Sequence, residues 1–181
     1  MAPGDNATML RLAGVHKDSI VDGPGIRFSI YVQGCPHGCP GCHNPETHDP
    51  RGGYVMKVKD LAALVGSYRD DIDGVTISGG EPFEQAGPLA ALVGRVLEEG
   101  LNLVIYSGYV FEELLLKSAI DSDVRCLLES GWLLVDGPYL REEQDLNLAF
   151  RGSRNQRLID LKASLKDQLA VEWTGSCLQQ R

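Results

Sequence analysis

Three cysteines fall within eight residues of one another, Cys35, Cys39 and Cys42, in a C-x-x-x-C-x-x-C arrangement inside the segment QGCPHGCPGCHNPET. Thiolates set this close on a Gly- and Pro-rich loop suit metal binding better than disulfide formation. The chain has five cysteines, an odd number, and its opening MAPGDNATMLRLAG lacks the basic-then-apolar order of a secretory leader, so a disulfide framework is a poor reading. Three thiolates can hold three irons of a four-iron, four-sulfur cluster, which usually takes four cysteines. The fourth iron is then open to another ligand, and an open position is what separates catalytic metal sites from structural ones. Zinc held by Cys3His is the alternative, with His37, His43 or His48 as fourth ligand, although structural zinc more often takes two separated pairs of ligands. The three histidines otherwise read as polar loop residues. Cys126, in the apolar stretch VRCLLES, reads as core packing, and Cys177 as a bystander.

Glycine is the second chemical signal. The 21 glycines make up about 12% of the chain against roughly 7% in an average protein. Many follow apolar runs, as at Gly34, Gly38 and Gly41, Gly79 and Gly80, Gly108 and Gly137. Loops of this kind suggest a rim where a ligand approaches the main chain closely. Between Arg151 and Lys166 stand five cations (Arg151, Arg154, Arg157, Lys162 and Lys166) and one anion, Asp160. That run reads as a solvated face or as a contact for an anionic ligand or acidic partner.

The elements that must carry these residues alternate. A short strand is expected over Leu10–Val15 and another over about Arg27–Gln33, followed by a long loop over 34–56. Loops of that length in a compact domain are usually functional or disordered. Leu61, Leu64, Val65 and Tyr68 follow helical spacing, as do Leu89, Leu92, Val93, Val96 and Leu97, with Gly100 a plausible stop. Strands are expected at Gly74–Ser78, Leu103–Tyr106 and Trp132–Val135, and a further helix opens at Phe111, Leu114 and Leu115. Alternation with short connections predicts parallel strands joined by crossovers. A complete eight-unit barrel takes about 250 residues. The expected fold is therefore a partial, open β/α barrel in a single domain, with its core at about 20–160. Ligand loops belong at the carboxyl ends of its strands. The tail from about Asp167 reads as weakly ordered.

On the spacing of Cys35, Cys39 and Cys42 after the first barrel strand, the chain resembles the radical S-adenosylmethionine (SAM) enzymes. In them the open iron chelates the amino and carboxylate groups of S-adenosylmethionine. Ser78-Gly79-Gly80-Glu81-Pro82, one crossover later, looks like that family's GGEP element, which contacts the methionine amino group. The chemistry fits: the glycines expose backbone, Glu81 can accept hydrogen bonds from an ammonium, and Pro82 holds Glu81 extended. VDGPGIRFSIYVQGCPHGCPGCHNPET, TISGGEP, YSGYVFEEL, LLVDGPYL and FRGSRNQR, in that order over roughly 20–160, are similar to the anaerobic ribonucleotide reductase activating proteins. Gly41 departs from the wider superfamily, where an aromatic residue often precedes the third cysteine. His43 departs from the branch, which commonly has an aromatic there.

What the resemblance implies is a radical SAM-type barrel with one 4Fe-4S cluster on Cys35, Cys39 and Cys42. Gly41, His43, Gly79, Gly80 and Glu81 would contact S-adenosylmethionine as cosubstrate, with Asp136 and Asn155 in matching motifs and Arg151 and Arg154 near the ligand or partner. Without it, Asp136 reads as a turn residue and Asn155 as a loop cap. The implied activity is reductive cleavage to a 5′-deoxyadenosyl radical that makes a glycyl radical on the reductase, with a flavodoxin or ferredoxin as electron donor. A different glycyl radical enzyme, a peptide or a small molecule is the alternative substrate, and a non-catalytic iron–sulfur or zinc module the alternative class.

Composition narrows the setting. A net charge of −8 and a pI near 4.9 argue against a nucleic-acid partner. No apolar run reaches the roughly 20 residues of a spanning helix. A cytoplasmic protein without membrane contact is expected, with the oligomeric state open and a homodimer possible.

Overall fold

The computed structural model describes residues 8–175. Seven strands form one open sheet: β1 (Met9–Ser19), β2 (Arg27–Val32), β3 (Tyr54–Lys57), β4 (Gly74–Gly79), β5 (Asn102–Tyr106), β6 (Leu133–Asp136) and β7 (Arg157–Asp160), in the order β3-β1-β2-β4-β5-β6-β7. The central four, β2, β4, β5 and β6, are parallel. Five helices accompany them: α1 (Val58–Gly66), α2 (Ala86–Glu98), α3 (Phe111–Ile120), α4 (Ser122–Ser130) and α5 (Leu161–Asp167). Among the described residues no helix is long and apolar enough to cross a membrane.

Alternation along the strands divides the two faces. Phe28, Ile30 and Val32 of β2, Val75 and Ile77 of β4, and Leu103 and Ile105 of β5 join a buried cluster with Leu61 and Val65 of α1, Leu89 and Leu92 of α2, and Leu127 of α4. Those helical positions recur at the spacing that lays one apolar stripe against the sheet. The opposite face carries Arg27, Ser29 and Tyr31, then Thr76 and Ser78, and a smaller cluster of Val104, Leu133, Val135 and Leu158. Helix starts are fixed locally: the Asp121 carboxylate accepts from the Asp123 and Val124 N–H groups at α4, and Asp160 from Ala163 at α5.

Several expectations are corrected. The sheet is not all parallel, because β1 runs antiparallel to β2 and β3, and β7 antiparallel to β6. The long loop is shorter than expected at its far end, where Tyr54–Lys57 pairs with Met9–Leu12 as an edge strand. Helix α4 buries Val124, Leu127 and Leu128, and Cys126 lies on its exposed side and not in the core. The segment after Asp167 docks on β7: the Trp173 N–H donates to the Leu158 carbonyl (2.7 Å), Glu172 bridges to Ile159, and the Trp173 ring meets Trp132 edge-on at 5.8 Å. A large aromatic gains enough by covering Trp132 to hold a tail whose composition gives no sign of order. Cys177 and the last residues of that tail lie outside the described residues.

Candidate metal and cofactor site

Because β2, β4, β5 and β6 are parallel, their carboxyl ends lie on one side of the sheet, and the loops that follow them enclose a cavity of about 560 Å³. Its wall includes all three clustered cysteines, His43, Gly79 and Gly80, together with Asp22, Tyr106, Tyr139, Phe150 and Arg151. Gly41, Glu81, Asp136 and Asn155, expected at the ligand, do not line it.

The cysteine loop is tied at its stem. The Gly34 N–H donates to the Thr47 carbonyl (2.7 Å) and the Cys35 N–H to the His48 carbonyl (3.2 Å), while the Gln33 amide donates to the carbonyls of Glu46 and Asp49, each at 2.8 Å. Beyond the stem, the Cys42 N–H donates to the Cys39 carbonyl (3.1 Å) and the Asn44 N–H to the Cys42 sulfur (3.4 Å). All three thiols are free and half-buried. Burial pushes the Cys35 thiol up, helped by the charges of Glu81 and Cys39, against backbone N–H groups of His37 and Gly38 that favour its thiolate. Among the described residues no three His, Cys, Asp or Glu side chains converge on a point that could hold a single metal ion. The donor set, three thiols around one cavity of a size that holds small-molecule ligands, fits a cluster with one open position.

The Gly79-Gly80-Glu81-Pro82 turn is built into this stem. The Gly80 N–H donates to the Val32 carbonyl (2.7 Å) and the Glu81 N–H to the Gly34 carbonyl (2.8 Å). A Cβ at Gly79 would lie 2.8 Å from Tyr31 Cα, and one at Gly80 would overlap the Gly34 carbonyl. The glycines thus let two main chains meet, as well as facing the cavity. Glu81 is fully buried. Its Oε1 accepts from the Phe83 N–H (3.1 Å) and the Ser107 hydroxyl (3.0 Å), and its Oε2 from the Gly108 N–H (2.8 Å) and His37 Nε2 (3.0 Å). The Glu81 hydrogen bond holds the His37 imidazole above its ordinary pKa, with the charges of Glu81, Glu84 and Glu113 adding and burial opposing.

Other expected residues separate by role. Asp136 is fully buried and accepts from the Phe111 N–H (2.7 Å) and from Arg157 Nη2 (2.5 Å). Asn155 donates from Nδ2 to the Pro138 carbonyl (2.7 Å), and its Oδ1 is buried without a partner. Gly41 rests against the Arg141 side chain. Arg151 reaches the cavity wall, whereas Arg154 pairs with Asp145 at the surface (3.1 Å). His43 packs against Tyr139, their ring centroids 5.0 Å apart.

Asp22 escaped the sequence reading. Its Oδ2 accepts from the hydroxyls of Ser19 (2.6 Å), Ser29 (2.8 Å) and Tyr31 (2.6 Å), which leaves a buttressed carboxylate on the cavity wall. The polar alternation Arg27, Ser29, Tyr31 was the available signal, since a strand with apolar surroundings on both faces has no reason to carry it.

A family model described as a 4Fe-4S single cluster domain matches residues 21–159. The chain is 34% identical over 144 residues to the anaerobic ribonucleoside-triphosphate reductase-activating protein of Salmonella typhimurium, covering 76% of this chain and 90% of that one. It is 35% identical to the protein of that name from Vibrio cholerae (76% and 89% covered) and 33% identical to that of Enterobacteria phage T4 (80% and 90% covered).

Proposed function

The chain belongs to the family of anaerobic ribonucleoside-triphosphate reductase-activating proteins, and from that premise we propose that it is an iron–sulfur activase that cleaves S-adenosylmethionine and makes a glycyl radical on the anaerobic ribonucleotide reductase. The observation that carries this reading is the gathering of Cys35, Cys39 and Cys42 around one cavity at the carboxyl ends of four parallel strands. The open sheet is then the remnant of a radical SAM-type β/α barrel.

Cys35, Cys39 and Cys42 would hold the cluster, which when bound would supply one electron to the sulfonium. Cleavage of the carbon–sulfur bond yields methionine and a 5′-deoxyadenosyl radical, which takes a hydrogen atom from a glycine Cα of the reductase to give 5′-deoxyadenosine. A flavodoxin or ferredoxin would be the electron donor. His43, Gly79 and Gly80 meet the cosubstrate along the cavity wall; Glu81, Asp136 and Asn155 shape that wall from behind, and Gly41 gives the cysteine loop its turn between Cys39 and Cys42. Ile20 and Val21, apolar yet 73% and 72% exposed, stand on the cavity rim, as suits a mouth covered by another protein.

The test is anaerobic reconstitution with iron and sulfide, reduction, and assay of 5′-deoxyadenosine after adding S-adenosylmethionine, with Cys39→Ala alongside. Wild type should release deoxyadenosine and the variant none. Mixing with the reductase should then give a glycyl radical signal by electron paramagnetic resonance. An intact cluster that leaves S-adenosylmethionine uncleaved would point to a binding module.

A further inference from the structure

Glu81 receives four donors, which fills the lone-pair sites of a carboxylate. Two are backbone N–H groups and one is the buried Ser107 hydroxyl, so none of the three can swing away alone. The fourth comes from His37, between Cys35 and Cys39, on a segment that forms neither helix nor strand. The imidazole has a socket. A Cβ at Gly108 would overlap the His37 ring, and the Tyr109 ring meets His37 edge-on with centroids 4.6 Å apart. Tyr109 is itself fixed, its hydroxyl donating to Glu84 (2.7 Å) and Lys117 lying 4.4 Å over its ring. A side chain bonded to a buried carboxylate and seated against a glycine and an aromatic ring is more than a polar loop residue.

We propose that His37 is a positioning residue for the cluster: its bond to Glu81 latches the cysteine loop to the ends of β4 and β5 and fixes the placement of Cys35 and Cys39. Glu81 then serves the site as the anchor of this latch, linking the cysteine loop to Ser107 and Gly108, and not as a free carboxylate in the cavity. The inference rests on the reading of Cys35, Cys39 and Cys42 as cluster ligands. A loop with three thiols and no regular structure must be ordered to meet a rigid cluster, and a latch formed beforehand removes that cost. Partners that orient metal ligands from outside typically change metal affinity by 10–100-fold when removed.

The experiment compares reconstituted wild type with His37→Ala and His37→Gln, whose side-chain amide restores an N–H donor. Iron per chain and the rate of iron loss to a chelator are read without oxygen, beside the unfolding midpoint of each metal-free protein. His37→Ala should lose iron about 10-fold faster or more, and His37→Gln should recover much of the difference. A His37→Ala protein that keeps its iron at the wild-type rate overturns the proposal, as does a His37→Gln protein no better than His37→Ala. Should His37→Ala fail to fold, Gly108→Ala tests the same bond by crowding the ring from its socket, with the same two outcomes. A wild type that binds no iron–sulfur cluster overturns the ligand reading and the latch with it.

Discussion

The Gly80 N–H donates to the Val32 carbonyl and a Cβ at Gly80 would overlap the Gly34 carbonyl oxygen, so a methyl group there meets main chain at the stem of the cysteine loop. Main chain cannot rotate aside as a long side chain can. Gly80→Ala should therefore lower stability by about 1–3 kcal/mol, as overpacking does, and loosen the stem of the cysteine loop. Gly94, on the exposed side of α2 with no atom within 4 Å of a built Cβ, provides the contrast. Gly94→Ala should stabilise by about 0.5–1 kcal/mol through helix propensity alone. Urea midpoints check both signs, and iron per chain should fall only in the first. The cysteine triplet was legible because ligand chemistry resides in residue type and spacing. Glu81 was legible only as a motif: the Ser107 and His37 side chains that fill it lie 26 and 44 residues away, and no local pattern records them. Asp136 is similar, since Arg157 follows 21 residues later and turns an apparent turn residue into a buried ion pair.

Strand β7 returns antiparallel on β6, and the junction is pinned by Arg157, which bonds Asp136 within the sheet and Glu112 on α3 (2.7 Å). These two carboxylates hold Arg157 firmly protonated, and Arg157 holds the Glu112 carboxyl below the usual carboxylate range. A carboxylate whose folded pKa is depressed adds stability above its unfolded value, near 4.3, and loses it as the pH falls through the folded value. The Glu112 side chain is 53% exposed, so solvent screens the pair and only about 0.2–1 kcal/mol is at stake. Wild type should therefore exceed Glu112→Gln in urea midpoint at pH 7, with the gap closing as the pH falls below the usual carboxylate range. A gap that stays constant over that range would show that Arg157 and Glu112 do not couple in solution. The central strands and the first helices were legible as elements because their apolar spacing follows the face they bury. β3 and β7 were not, because each lies at an edge of the sheet with at most two buried residues, so no continuous apolar run marks it as one marks β6.

Across the whole molecule the two ends of the parallel strands do different work. The carboxyl ends hold the cysteines and the cavity. At the amino ends Arg27 is fully buried and donates to Thr76 Oγ1 (3.1 Å), Asn102 Oδ1 (2.7 Å) and the Val75 carbonyl (2.6 Å), which closes the interior beneath the site. Burial lowers its pKa to about 10, against the opposing charges of Asp73 and Tyr106, so it remains a cation at neutral pH. Arg27→Met keeps much of the volume but removes the donor from buried Thr76 and Val75 and from half-buried Asn102, and should cost about 2–4 kcal/mol. The six residues of β2 place Arg27 about 17 Å from the strand's other end, where the cysteine loop begins. In β/α barrels, whose parallel strands share this polarity, that end carries stability and the carboxyl end carries chemistry. Arg27→Met should accordingly lower the urea midpoint while deoxyadenosine released per bound cluster, measured on folded protein, stays at the wild-type level. A loss of turnover per cluster as large as the loss of stability would mean that the plug also sets the shape of the cavity above it, and that the two ends act as one unit.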